Sequence, residues 1–200
     1  KLSYHDQNCI ALVLSDITDL KQREKHLKEL LSLDLATGSM NKYSLMKAIR
    51  KRVRAKETTD QYSICMIDFD NFKALNDQYG HLFGDKVLEK FSDIARRHIR
   101  KDDIFGRYGG EEFVFVFDNI DERQSLEILK RIHTELEKYF TKRYKVSVTF
   151  SAGVFTVDNG TRPLSHTELL AKVDSLLYEA KSRGRGRAIS PSGEKPFMNE

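Results

Sequence analysis

Two pairs of carboxylates stand out in the chain. Asp68 and Asp70 close the apolar run YSICMI with one residue between them; Glu111 and Glu112 sit between Gly109–Gly110 and the unbroken apolar run FVFVF. On an extended chain, residues two apart share a face. Asp68 and Asp70 at a strand end would therefore make an oxygen cradle of the kind a hard divalent cation takes. The plainer alternative is that one of them caps the helix that follows. If the glycine turn lies beside the Tyr62–Ile67 strand, four acids share one sheet edge. Their repulsion raises their pKa values unless a cation offsets it. A surface turn with solvated acids explains the glutamates but not two adjacent glycines, which permit positive φ and the close approach of a ligand. Acids, glycines and a metal together point to phosphoryl or nucleotidyl transfer, in which metals clamp the attacking and leaving oxygens.

Basic and polar residues fit that chemistry. Lys73 falls one helical turn past Asp70, where phosphate charge would develop. Lys181 and Arg185, spaced i,i+4 at the end of the last helix, can reach one anion together; alone, they would be partners of that helix's C-terminal dipole. Asn76 and Asp85 are expected in a glycine-punctuated loop. An Asp facing a purine suits guanine, whose N1–H and exocyclic amine are both donors.

The elements that must position these groups follow from periodicity. KYSLMKAIRKRV, KVLEKFSDIARRHI, SLEILKRIHTELEKYF and SHTELLAKVDSLLYEAKSRG repeat apolar residues at helical spacing, the last opened by a Ser165–Glu168 capping box and stopped by Gly184. YSICMI is a strand; IFGRY and FVFVF flank the glycines as a hairpin whose second arm is apolar enough to be covered on both faces. VSVTFSAGVFTV gives two short strands or one bent at Gly153, and the segment 190–200 has no core pattern and is expected to be a tail. The sum is an α+β domain over 33–189, a central and mostly antiparallel sheet flanked by helices. Upstream, DLKQREKHLKELLSL carries leucines on a helical period, which predicts an amphipathic connector over 19–32 that pairs as a coiled coil or packs on its own domain.

Composition excludes several classes. Apolar residues make up 40% and include 12 Phe, enough for a core. The net charge of +4 is too small to argue for nucleic acid, and the basic runs at 21–28 and 50–56 read as solvated helix faces. Two cysteines without a CxxC pair argue against zinc and against a disulfide framework. No stretch approaches the roughly 20 apolar residues of a membrane span, and no signal-peptide pattern opens the sequence. The expectation is a soluble, cytoplasmic fragment, or the cytoplasmic part of a membrane-anchored parent.

Several motifs in order resemble one family. RYGGEEF is similar to the signature hairpin of the GGDEF-domain diguanylate cyclases in its GGEEF form. DLATGSMNK resembles the opening D-x-L-T-G-L-x-N-R, and DFDNFKALNDQYGHLFGDKVL follows D-x-D-x-F-K-x-x-N-D-x-x-G-H-x-x-G-D-x-x-L almost position by position. VTFSAGV and LLYEAKSRGRGR resemble the late strand and the closing A-L-Y-x-A-K-x-x-G-R-N. Ala36 and Ser39 stand where the family prefers leucine, Lys42 where it has arginine, and Gly186 where it has asparagine. The resemblance implies an enzyme that condenses two GTP into cyclic di-GMP and two pyrophosphates with Mg²⁺ or Mn²⁺. It implies metal ligation by Asp68, the Phe69 carbonyl and Glu111, with Glu111 also taking the 3′-hydroxyl proton and Glu112 supporting the cluster. Lys73, Lys181 and Arg185 would bind the triphosphate, Asn76 and Asp85 would read guanine, and His81 would line the pocket. Arg100 and Asp103 match the R-x-x-D that binds product as an inhibitory site five residues before the signature. One GTP per domain implies a homodimer through the connector and the catalytic domains. VLSDITDLKQRE resembles the exit strand and linker of a PAS sensor, which would end at residue 18. A catalytically silent module that binds GTP or cyclic di-GMP and regulates a partner is the alternative function.

Overall fold

The computed structural model describes residues 2–4, 7–9, 21, 32–55, 61–158 and 160–197. The chain divides into two compact units, Lys1–Leu31 and Ser32–Glu200. In the first, strands β1 (Leu2–Tyr4) and β2 (Gln7–Cys9) pair antiparallel, with Leu2 opposite Cys9. The exit strand expected from Val13 onward and the connector over 19–32 lie outside the described residues apart from Lys21 and Ser32.

The second unit alternates helices and strands: α1 (Lys42–Arg54), β3 (Tyr62–Phe69), α2 (Phe72–Tyr79), α3 (His81–His98), β4 (Ile104–Gly109), β5 (Glu112–Asp118), α4 (Glu122–Tyr144), β6 (Phe150–Val157), α5 (His166–Ser182), β7 (Arg187–Ser190) and β8 (Gly193–Pro196). The strand order is β4-β5-β3-β6-β7-β8, antiparallel throughout except for the parallel β6–β7 pair. That is the α+β architecture expected, with the sheet continued at one edge.

Period-two alternation sorts the central strands onto two cores. Cys65, Ile67 and Phe69 of β3 and Phe113, Phe115 and Phe117 of β5 face α3 and α4 through Phe91, Ile94, Leu129, Ile132 and Phe140. Ile64, Met66, Val114 and Val116 point the other way, toward Leu45 and Ile49 of α1 and Leu169, Val173 and Leu177 of α5. FVFVF is therefore buried on both faces, as its composition demands. The same alternation sends Asp68, two residues past Met66, to the α5 side of the sheet.

Helix α5 comes unusually close to that face. A Cβ on Gly153 would stand 2.0 Å from the Val173 carbonyl oxygen and 2.6 Å from the Leu177 nitrogen, so only glycine lets α5 lie on β6. The helix opens on the expected capping box, with Ser165 Oγ accepting from the Glu168 amide and the Glu168 carboxylate accepting from the Ser165 amide. The segment from Phe150 is one continuous strand rather than two.

The expected tail over 190–200 is corrected. Residues 187–196 form the β7–β8 hairpin at the sheet edge, and Phe197 is buried against Phe150 and His133. A single aromatic after a turn carries no periodicity, which is why the pattern did not show it.

Candidate active site

The acids gather where the sheet register puts them. Asp68 on β3 lies directly opposite Glu112 on β5, and directly opposite residues share a face. Asp68 is only 8% exposed, and the Lys181 ammonium lies 2.8 Å from its Oδ1. Burial pushes the Asp68 carboxyl up; the Lys181 hydrogen bond and charge oppose this, while the charges of Glu111 and Asp70 add to it. Glu112 is also raised, by burial first and then by the Asp68 charge. The site thus holds crowded, partly desolvated carboxylates against one nearby ammonium, an arrangement with a surplus of negative charge.

The turn that carries Glu111 is short, with Gly109 paired to Glu112 and Tyr108 bulged between Arg107 and Gly109. Arg107 Nε donates to the Gly110 carbonyl at 2.8 Å, and its Nη1 lies 3.2 Å from Asp34, whose carboxylate also accepts from the Thr37 hydroxyl. The turn is thereby tethered to the 34–37 loop. Gly109 and Gly110 do not have positive φ, contrary to expectation. Their use is space: a Cβ on Gly109 would meet Glu112 Oε2 at 3.0 Å, and one on Gly110 would meet nothing within 4 Å. The backbone at Gly110 lies open for a ligand to approach.

Asp70 does not join this group, and it does not cap α2 either. The N-cap of α2 is Asn71, left-handed at φ 53°, without a side-chain cap bond. Asp70 instead accepts from Thr149 Oγ1 and Ser151 Oγ, each at 2.7 Å, and from the Gly186 amide at 3.0 Å. Thr149, Ser151 and Gly186 are structural contributors that sequence reasoning missed. Their contact spans about eighty residues or more of chain, and only an observed pairing of β3 with β6 could have revealed it.

Lys73, exposed in the first turn of α2, sits among backbone amides that no side chain caps. A helix N-terminus left in this state favours anions. Asn76 and Asp85 are not in a loop: Asn76 is on α2 and Asp85 on α3, two helices that meet at Gly80 with φ 83°. Asn76 Oδ1 is buried and has no hydrogen-bond partner among the described residues. It rests where a Cβ on Gly84 would be, 2.0 Å away, so glycine is required at the helix crossing. An orphaned carbonyl oxygen is an acceptor awaiting a donor. His81 and Asp85 are exposed at the start of α3.

Lys181 and Arg185 do not share a helix face. Helix α5 ends at Ser182 in a Schellman turn, the Arg185 amide donating to the Ala180 carbonyl at 3.1 Å and the Gly184 amide to that of Lys181 at 3.4 Å. Arg185 is in the turn beyond, exposed and left-handed at φ 63°. Glycines 184 and 186 break the helix before an i,i+4 pair can form.

Arg100 and Asp103 form the turn from α3 into β4. The Arg100 amide donates to Asp103 Oδ2 at 2.7 Å and the Asp103 amide to the Arg100 carbonyl at 3.2 Å. Burial raises the Asp103 carboxyl. The pair stands at the far end of β4 from Glu111, about 20 Å away along the strand.

Among the described residues no three metal-capable side chains already form a cage. The donor set still fits a hard cation. Magnesium commonly uses one or two carboxylates, with water and substrate phosphate completing its shell, and the excess of carboxylate charge here calls for a cation.

Comparison with known proteins agrees with this geometry. Residues 31–187 match the family described as diguanylate cyclase, GGDEF domain. The chain is 31% identical over 176 residues to a diguanylate cyclase of Vibrio cholerae, covering 88% of this chain and 54% of the relative. It is 30% identical over 200 residues to diguanylate cyclase A of Treponema denticola, covering 96% and 53%. The chain thus spans about half the length of these relatives. Among solved structures, the GGDEF domain of DgcB from Caulobacter crescentus in complex with c-di-GMP superposes with a TM-score of 0.73 at 25% identity, covering 82% of this chain and 97% of that one. The active GGEEF domain of a Vibrio cholerae diguanylate cyclase superposes with a TM-score of 0.66 at 26% identity, covering 80% and 98%. The acid-lined sheet edge, the glycine turn beside it and the match across most of the chain have one common explanation: the chain belongs to the GGDEF diguanylate cyclase family.

Proposed function

We propose that this domain is a diguanylate cyclase, condensing two GTP into cyclic di-GMP with release of two pyrophosphates. The observation that carries the reading is the Asp68–Glu112–Lys181 cluster at the open Gly110 turn. In each half-reaction the 3′-oxygen of one GTP bonds to the α-phosphorus of the other, and the bond from that phosphorus to pyrophosphate breaks. Glu111 takes the 3′-hydroxyl proton as general base. Asp68, the Phe69 carbonyl and Glu111 would hold Mg²⁺ or Mn²⁺, with Glu112 as the supporting charge. When bound, the cation neutralises phosphate charge and lowers the pKa of the attacking hydroxyl. Lys73, Lys181 and Arg185 bind the triphosphate. Asn76, with its orphaned oxygen, and Asp85 accept from the guanine edge, while His81 lines the pocket. Since each domain presents one GTP, two copies meet face to face. Arg100 and Asp103 are assigned to product inhibition, and the setting is cytoplasmic second-messenger signalling.

Incubation of purified protein with GTP and Mg²⁺ across a range of protein concentrations tests this reading. Cyclic di-GMP should form with a rate that rises faster than linearly while dimer is limiting, and Glu111→Ala should lower turnover by at least about a hundredfold, the lower range for a general base. GTP binding without turnover, even in a forced dimer, would instead make this a silent regulatory module.

A further inference from the structure

Asp70 is the carboxylate the proposed chemistry leaves unused. Its Oδ1 accepts from Ser151 Oγ, and its Oδ2 from both Thr149 Oγ1 and the Gly186 amide. Its own amide donates to the Thr149 carbonyl at 2.9 Å. One side chain therefore ties the strand end that bears Asp68 to the start of β6 and to the turn after α5.

That turn holds a second, independent feature. Arg185 is a non-glycine residue in the left-handed region, a conformation that costs about 1 kcal/mol and persists where surrounding structure over-determines it. The backbone amides and carbonyls of Arg185 and Gly186 are all engaged. The Arg185 amide donates to Ala180, the Arg187 guanidinium donates to the Arg185 carbonyl, the Gly186 amide donates to Asp70, and the Phe197 amide donates to the Gly186 carbonyl. Asp70 is the one charged acceptor in this set, and charge-assisted bonds are the stronger kind. Both its oxygens are already committed, which leaves little for a cation to bind.

We propose that Asp70 is a positioning residue that holds Arg185 in its left-handed turn, and so fixes a guanidinium for the triphosphate of an incoming nucleotide. The role of Arg185 rests on the function proposed above; the role of Asp70 in holding the turn does not. Asp68 and Asp70, two residues apart, thus divide their work, one facing the reaction and one facing the scaffold.

Two variants test it. In Asp70→Asn the amide oxygen can still accept from Thr149 and Gly186, and the amide nitrogen can donate to Ser151 once that hydroxyl rotates. Asp70→Ala loses all three bonds. Nucleotide-free amide exchange at Gly186, read by NMR, should rise by less than about threefold in Asp70→Asn, which keeps the acceptor without its charge, and by at least about tenfold in Asp70→Ala, the factor for a bond worth about 1.4 kcal/mol. Calorimetry should show GTP affinity falling by about tenfold in Asp70→Ala with GMP affinity unchanged, and turnover in Asp70→Asn staying within about threefold of the parent. The proposal is overturned if Asp70→Asn abolishes turnover while Gly186 exchange stays slow, the signature of a metal ligand. It is equally overturned if the Asn variant, which keeps an acceptor where Ala keeps none, exposes the Gly186 amide as fully as Ala does. A parent chain that binds neither GTP nor GMP would refute the proposed function, and Gly186 exchange would still decide the role of Asp70.

Discussion

Asp68 and Glu112 show what a single cross-strand register imposes on chemistry. Each carboxyl is raised chiefly by burial, and for Glu112 the facing Asp68 charge is the next cause. A carboxyl whose folded pKa is raised holds its proton more readily in the folded chain than in the unfolded one. Its ionisation therefore costs stability as pH climbs past the ordinary carboxylate value, and the cost is complete above the raised value. Glu112→Gln removes that charge and keeps the shape. In metal-free protein it is expected to raise stability at pH 7, read as a higher urea midpoint, by on the order of 0.5 kcal/mol for a facing like-charge pair. The gain should fade as pH falls toward the ordinary carboxylate range. An unchanged midpoint at pH 7 would mean that Lys181 already neutralises the pair. The prospect that this cluster gains stability by losing an acid separates it from a structural ion pair, which would weaken.

At the scale of elements, the placement of Lys181 depends on the α5–β6 crossing, and that crossing depends on Gly153. A methyl there would overlap backbone atoms of α5, which cannot swing aside as a side-chain tip can. Gly153→Ala is expected to cost about 2 kcal/mol or more through overpacking. Turnover should fall further than the unfolded fraction explains, because the displaced helix carries Lys181 away from Asp68; turnover per folded molecule, measured beside the melt, checks this. The sequence displayed much of this arrangement and concealed a definable part. The amphipathic helices after residue 41, the capping box at Ser165 and the doubly buried FVFVF strand each carry a local period or cap, and each formed as read. Asp68, Glu112 and Lys181, which the fold brings together, stood out as candidates because an acid at a strand end or a lysine near a helix end is a local signal. The role of Asp70 was not, since its partners lie about eighty to one hundred and sixteen residues away and nothing local distinguishes it from Asp68. The break after Ser182 that separates Lys181 from Arg185 was hidden for another reason. Two glycines flanking an arginine allow a helix to end at several points, and tertiary bonds to Asp70 and Phe197 choose among them.

Over the whole molecule, the C-terminal hairpin closes the α3–α4 core and at the same time braces the turn at Arg185. Phe197 lies 4.7 Å, centroid to centroid, from the His133 ring, which packs on its other contact against Phe150 at 5.1 Å. His133 is fully buried, and neither ring nitrogen has a hydrogen-bond partner among the described residues. Burial alone lowers its pKa from 6.5 to about 4. The folded chain thus resists a proton that the unfolded chain accepts. Stability is full above the unfolded value of 6.5 and is lost as pH falls through the interval down to about 4. At 1.36 kcal/mol per unit the loss amounts to roughly 3 kcal/mol. His133→Leu should flatten this acid slope and raise stability at neutral pH, since two unsatisfied nitrogens disappear from the core. Phe197→Ala should act in the opposite sense, costing about 3 kcal/mol at pH 7 by opening a cavity. It also lets water reach His133, so its stability should depend less on pH between 4 and 6.5 than that of the parent. Urea titrations of the three proteins at pH 7 and pH 5 distinguish these outcomes. A parallel acid slope in all three would place the acid sensitivity elsewhere, whereas slopes flattened by either change would show that the last strand and its aromatic keep this histidine dry.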